Sequence, residues 1–259
     1  KQGLYDPSLE KDSCGVGFVV DINGRKSHAI VEQGLQVLKR LAHRGAVGAD
    51  PQTGDGAGIL LQIPHEFLVK VCQAEGIALP EPGDYGTGIV FLPTEKEARQ
   101  RIKQIFSDVL KAGGFPLLGW RKVPLADKEI GAKARETRPQ IEQIFIAAGE
   151  KVRNQLEFER KLYALRRQVE AAAANLNIGQ SACFYITNLS SRTIIYKGLL
   201  MPEQVGLFYP ELNNGELKSA IALVHSRYST NTFPTWDLAQ PFRFLSHNGE
   251  INTLRGNIN

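Results

Sequence analysis

The sequence predicts an α+β domain with two sheets packed face to face and helices outside them. Two observations carry this: strand-like apolar runs dominate both ends of the chain, and helical patterns gather between them. Composition agrees with a folded domain of this kind. A chain of 259 residues, 42% hydrophobic and 22% charged, matches a soluble globular protein and excludes disorder or a collagen-like repeat. That length is enough to bury a core, and no repeat or linker divides it.

The elements follow in order. After a polar leader, KQGLYDPSLEKDS, the run CGVGFVVDI at 14–22 reads as a buried strand with two glycines at its start, and Asn23-Gly24 turns the chain. Between 29 and 42, Ile30, Val31, Leu35, Leu38 and Leu41 follow helical spacing, with Lys39, Arg40 and Arg44 suiting the C-terminal end and Gly45 stopping it. A glycine-rich stretch, RGAVGADPQTGDGAGI, spans 44–59, and strands are expected at 58–63 and 86–93. Thr94 with Glu97 reads as a capping box opening a helix to about Lys111, ended by Gly113-Gly114. Residues 115–155 give a mixed signal, and a long amphipathic helix covers roughly 155–175. Strands at 183–189 and 193–198 flank Ser190-Ser191 as a hairpin, and strands at 221–229 and 242–251 close the chain.

Several function classes fall away. Thirty-one Lys plus Arg against twenty-seven Asp plus Glu leave +4 with no basic block, which gives nucleic-acid or membrane-surface binding no support. The longest uncharged run, 171–191, carries Asn, Gln and Ser throughout and is not a membrane span. Cys14, Cys72 and Cys183 are odd in number, far apart and never in a C-x-x-C pair. They argue against a disulfide scaffold, a zinc site or an iron–sulfur cluster built from this chain alone, and they fit a reducing compartment. The histidines show no metal-ligand spacing, and the glycine-rich stretch lacks the Gly-Lys-Ser/Thr of a phosphate loop. Its simplest reading is a tight connection between helix and strand. The leader has no apolar segment and carries Asp6, Glu10 and Asp12, unlike a secretory signal.

Three places could carry chemistry. Cys14 is either a small buried hydrophobe or, once residues 1–13 are removed, a thiol beside its own α-amine, whose reference pKa near 8 suits a base. HSRYSTNTFPTW at 225–236 follows an apolar strand; Arg227 is either an ordinary ion-pair partner at a turn or a bidentate clamp for a carboxylate. HNGEIN at 247–252 is either a hairpin turn or a pair of donors, the Asn248 amide and the Gly249 N–H, aimed at an oxyanion.

The order Cys-Gly-Val-Gly-Phe, L-x-x-L-x-x-R-G, H-S-R-Y-S-T, H-N-G resembles the class II glutamine amidotransferases, which are N-terminal-nucleophile hydrolases. The fuller wording DSCGVGFVVD, HRGAVGADPQTGDGAGIL, HSRYSTNTFPTW and HNGEINTLRGN is similar to the glutaminase domain of glutamate synthase large subunits, over essentially the whole chain. The resemblance implies a four-layer αββα sandwich of two mainly antiparallel sheets, residues 1–13 as a propeptide cleaved between Ser13 and Cys14, and 14–259 as the amidotransferase domain, C-terminally truncated. It implies that Cys14 attacks the side-chain amide of L-glutamine. Asn248 and Gly249 would hold the oxyanion, Arg227 and Thr230 the substrate, and Arg44 and Gly45 a pocket-lining loop. No cofactor belongs to this chain; FMN and an iron–sulfur cluster are expected in synthase domains outside it, which would be its partners. A chain that keeps its leader is expected to be a low-activity precursor, in the cytoplasm or a plastid. The alternatives are a non-catalytic docking or regulatory fragment and a class II amidotransferase of another pathway.

Overall fold

A computed structural model describes residues 15–47, 50–176, 183–229 and 233–243. Among the described residues, eight strands form two four-stranded antiparallel sheets. Sheet A runs β1 (Val16–Val20), β8 (Ile221–Ser226), β2 (Ala57–Gln62) and β7 (Thr193–Gly198). Sheet B runs β4 (Leu117–Lys122), β5 (Gln140–Ala147), β3 (Tyr85–Leu92) and β6 (Tyr185–Ile186).

Helix α1 (His28–Arg40) packs on β8 and β1 through Ile30, Val31, Leu35 and Leu38, spaced as a single helical stripe. Two longer helices, α3 (Lys96–Gly113) and α5 (Gln155–Ala174), cover the outer face of sheet B. Along β3 the side chains alternate as a strand buried on both faces must: Val90 and Leu92 pack under those helices, while Ile89 and Phe91 join the core shared with sheet A and α1. The layers are helix, sheet, sheet, helix. The sandwich expected from the resemblance is the one observed.

Most predicted elements match to within two or three residues, and the exceptions have identifiable causes. The N-cap of α3 is Glu95, with no side-chain cap bond, so Thr94 and Glu97 do not form the expected box. The Thr94 carbonyl is taken instead by Arg99 Nη1 at 2.8 Å. At the other end Gly114 adopts φ 73°, the left-handed cap that glycine supplies cheaply. The expected hairpin about Ser190-Ser191 is absent: β6 pairs with β3 in sheet B and β7 with β2 in sheet A, so the chain crosses between sheets there. The crossing is held by other partners. Thr187 donates to the Ile89 carbonyl at 2.9 Å, and the Ser190 and Ser191 hydroxyls donate to the Glu159 carboxylate at 3.0 and 2.7 Å. The mixed stretch 115–155 contains β4, a short helix α4 (Ala132–Glu136) and β5, and helix α2 (His65–Ala74) also went unpredicted. The strand expected at 221–229 ends at Ser226, and that expected at 242–251 lies, from 244 onward, outside the described residues, as do the leader and Cys14.

The two halves are pinned by a buried polar seam. Arg121 of β4 is 2% exposed, and its guanidinium donates to both oxygens of Glu211, at 2.9 and 3.2 Å. Glu211 sits in a 3-10 turn (Pro210–Asn213) and also accepts the Tyr196 hydroxyl of β7 at 2.6 Å. Gln143 of β5 accepts from Arg121 Nε at 3.1 Å and donates to Thr87 of β3 at 3.0 Å. Three strands of sheet B and one of sheet A thus meet in one network.

Glu211→Ala should lower the unfolding free energy by about 3–5 kcal/mol, the cost of leaving a buried charge unpaired. Arg121→Met should then cost far less in that background than in the wild type. Urea unfolding of the four proteins measures the coupling; additive losses would show that the two residues act independently.

Candidate active site

Three strand ends meet at one edge of sheet A. β1 begins there, β8 ends there and β2 begins there. The Gly15 carbonyl, one residue after Cys14, accepts the Ser226 N–H at 2.8 Å, one residue before Arg227. His225 and Ser226 are buried at the end of β8.

Asp55, in the sequence Gly54-Asp55-Gly56, organises the loops that leave this edge. Its N–H donates to the Ala46 carbonyl at 3.0 Å, tying down the loop after the 3-10 turn Ala42–Arg44. Its carbonyl accepts from Arg227 Nη1 at 3.3 Å, its carboxylate accepts the Ser229 N–H at 2.7 Å, and the adjacent Gly56 carbonyl accepts the Arg227 N–H at 2.8 Å. The start of the H-S-R-Y-S-T motif is therefore clasped by the glycine-rich stretch. Gly45 closes against the same place: a Cβ there would lie 3.0 Å from Ser226 Oγ.

The electrostatics follow from burial and these contacts. Burial raises the Asp55 pKa, with the Ser229 N–H and the Arg227 charge pulling the other way. Burial lowers that of Arg227, opposed by the Asp55 and Asp237 charges. A half-buried guanidinium held by the Asp55 carbonyl has the planar fork that suits a small carboxylate.

A second segment completes the edge. Trp236 is 2% exposed, its indole N–H donating to the Ala134 carbonyl at 3.2 Å and its ring meeting Phe91 edge-on at 5.9 Å. The chain then crosses β2 at two glycines. A Cβ on Gly56 would come within 2.9 Å of Ala239 Cβ, and one on Gly58 within 2.6 Å of the Gln240 carbonyl oxygen. These glycines do more than connect helix to strand, as the sequence suggested: they let one backbone lie against another.

Of the candidate residues, the structure brings Gly45 and Arg227 together beside Gly15, with Arg44 ending the 3-10 turn that leads into Gly45. Ser13, Cys14, Thr230, Asn248 and Gly249 lie outside the described residues. Sequence reasoning missed Asp55. Its only signal was a lone carboxylate between two glycines. The other two cysteines are placed clearly. Burial pushes the Cys72 thiol up to about 11 and the Cys183 thiol up to about 12. Among the described residues no three His, Cys, Asp or Glu are grouped to hold a metal ion, and no helix is long and apolar enough to cross a membrane.

The sequence profile of the family described as glutamine amidotransferases class-II matches residues 14–259. Among curated relatives, the glutamate synthase [NADPH] large chain of Bacillus subtilis is 49% identical over 258 residues, covering 100% of this chain and 17% of the relative. The glutamate synthase [NADH] of Saccharomyces cerevisiae is 46% identical over 268 residues, 100% of this chain and 12% of the relative. The ferredoxin-dependent glutamate synthase 1, chloroplastic/mitochondrial, of Arabidopsis thaliana is 41% identical over 256 residues, 99% of this chain and 16% of the relative. The chain thus spans less than a fifth of the length of these proteins.

At pH 8 a thiol of pKa 11 is about one part in a thousand thiolate, and thiolate is the reactive form. Iodoacetamide at that pH should leave Cys72 and Cys183 unmodified in the folded protein and alkylate both after urea unfolding. Peptide mass mapping reads the outcome; rapid alkylation of either in the folded state would contradict their placement.

Proposed function

The chain belongs to the class-II glutamine amidotransferases, and from that premise we propose that it releases ammonia from L-glutamine using Cys14 as an N-terminal nucleophile. The observation that carries the reading is the position of Arg227. The Asp55 carbonyl holds its guanidinium and the Gly56 carbonyl its main-chain N–H, at the strand edge where Gly15, the neighbour of Cys14, is hydrogen-bonded to Ser226. Arg227 and Gly15, the residue that follows Cys14 in the sequence, sit at adjoining strand ends.

In this reading the α-amine of Cys14 takes the thiol proton as sulfur attacks the amide carbon of the substrate. The resulting oxyanion is stabilised by the Asn248 amide and the Gly249 N–H, donors of the kind whose removal costs roughly 10²–10³ in rate. The protonated amine gives its proton to the departing nitrogen, and ammonia leaves. Water then cleaves the γ-glutamyl thioester, releasing glutamate and restoring the thiol. Arg227 and Thr230 bind the substrate's α-carbon end, and Arg44 and Gly45 line the pocket. While residues 1–13 remain attached, Cys14 has no α-amine and the chain is a precursor, matured by cleavage between Ser13 and Cys14.

The similarity to glutamate synthases under three different donor names supports a place for this chain as the ammonia-producing part of such an enzyme. The ammonia would then be consumed by synthase domains elsewhere in the polypeptide, to which FMN and the iron–sulfur cluster belong. A cytoplasmic or plastid setting goes with that assignment.

An electrophile mimicking the glutamine side chain should label Cys14 alone, and Cys14→Ala should abolish both labelling and glutaminase activity. Arg227→Met should raise the KM for glutamine about 10–100-fold, the worth of a charge-assisted clamp. Labelling on Cys72 or Cys183, or rapid hydrolysis by protein that still begins at Lys1, would overturn the reading.

A further inference from the structure

A cavity of about 410 Å³ opens between α5 and the chain that crosses between the sheets, lined by Arg160 and Arg166 of α5, Arg192 of the crossing segment and Arg243. Arg160 and Arg192 are exposed, and among the described residues no carboxylate lies within ion-pair distance of either. Arg166 and Arg243 share one partner, Glu170, at 2.6 and 3.5 Å, and Arg167 takes its other oxygen at 2.6 Å. The carboxylate in the wall, Glu159, is already taken up by the Ser190 and Ser191 hydroxyls. Four guanidinium groups against two carboxylates leave a surplus of two positive charges around one small space. Burial lowers the Arg166 pKa, with the Arg243 charge next in effect, and the Arg243 Nε–H is buried without a hydrogen-bond partner. Like charges gathered in this way oppose one another, and an anion between them reverses that cost.

The rest of the wall favours a particular kind of anion. Phe158, Leu162, Leu165 and Val169 of α5 are buried, whereas Leu156 and Tyr163 remain 51% and 58% exposed and line the cavity. The Arg166 guanidinium lies over the Tyr163 ring, 5.1 Å from its centre. An aromatic ring beside unpaired guanidinium groups suits a ligand with a flat heterocycle at one end and a phosphate at the other. A phosphate monoester carries a charge of about −1.5 to −2 near neutral pH, which matches the surplus. The crossing segment is already fixed, since Asn188 Nδ2 donates to the Thr193 carbonyl at 2.6 Å and Gln155 Nε2 to the Ser191 carbonyl at 3.2 Å. Little ordering is then needed when a ligand enters. The cavity is also remote from Arg227. Thr193 in its wall pairs with Gln62 at the end of β2, whereas the edge holding Arg227 is at the start of β2, where Ala57 pairs with Gly198.

We propose that this cavity binds a nucleoside monophosphate, with Arg160, Arg192 and Arg243 taking the phosphate and Tyr163 lying against the base. The site stands apart from the glutaminase reading: it uses none of the residues assigned to glutamine, and its occupancy does not depend on Cys14.

Equilibrium dialysis of the complete natural polypeptide against radiolabelled AMP and UMP tests this, comparing wild type with the double variant Arg160→Gln/Arg192→Gln and with Tyr163→Ala. All three positions are exposed, so the fold is kept. Nucleotide bound elsewhere in the polypeptide is common to the three proteins and cancels in the comparison. For at least one of the two nucleotides, wild type should bind one equivalent per chain that the double variant holds at least about 30-fold more weakly, the worth of losing two charge-assisted contacts. Tyr163→Ala should weaken the same equivalent by about fivefold or more, the worth of one stacked base. Inorganic phosphate should displace it only at concentrations at least tenfold above those of the unlabelled nucleotide. Equal binding of both nucleotides by wild type and the double variant overturns the site. Unchanged affinity in Tyr163→Ala, or displacement by inorganic phosphate as readily as by nucleotide, overturns the nucleoside assignment.

Discussion

The burial of Arg121 against Glu211 is the constraint on which the sandwich depends. A guanidinium enclosed between packed layers is tolerable only when its donors are taken up, and here the acceptors come from β5 and from the turn beside β7. Such a pair adds little net stability compared with apolar residues of the same volume. Its effect is on alternatives. A one-residue slip of β4 against β5 would turn Arg121 to the other face of sheet B, leaving it without these partners and leaving Glu211 with the Tyr196 hydroxyl but no counter-charge. The seam therefore specifies register, and through Tyr196 it specifies how sheet A stands relative to sheet B.

The site inherits that placement but is organised by a different carboxylate. Asp55 links the loop after α1, the start of β2 and the chain leaving β8, using its N–H, its carbonyl and its side chain. The neutral bond is worth about 1 kcal/mol net and the two that involve a charged group about 1.5–3 kcal/mol each. Together they fix three loops that originate far apart in sequence, which is how a strand edge becomes a site. Loops carry the chemistry and the sheet decides where they start.

How much of this was legible in the sequence depended on whether a residue's partners were local. α1 and α5 were readable because their apolar stripes recur at helical spacing, and the stop at Gly114 because only glycine takes a left-handed φ cheaply. β5 was not readable: Glu142 and Gln143 interrupt its apolar run, and their compensation by Lys103, Arg121 and Thr87 lies in other elements. The apparent hairpin about Ser190 failed for the same reason, since the hydroxyls that suggested a turn are satisfied by Glu159 on α5. At the site, Arg227 stood out through its motif, whereas Asp55 looked like part of a glycine-rich connector. Its significance lies in which carbonyls and amides it reaches, and those are set by the fold.

The glycine contacts beneath residues 239–240 restrict motion as well as sequence. Where two backbones touch without intervening side chains, neither can move toward the other, and hydrogen bonds from Lys197 of β7 to the Asp237 and Ala239 carbonyls resist their separation. Approach and separation are thus both opposed, and the two hydrogen bonds from Lys197, 2.8 and 2.6 Å long, hold residues 237–239 along the sheet as well. A side chain larger than hydrogen at Gly56 or Gly58 would therefore have two effects at once, pushing residues 239–240 outward and stretching the bonds that hold them to Lys197.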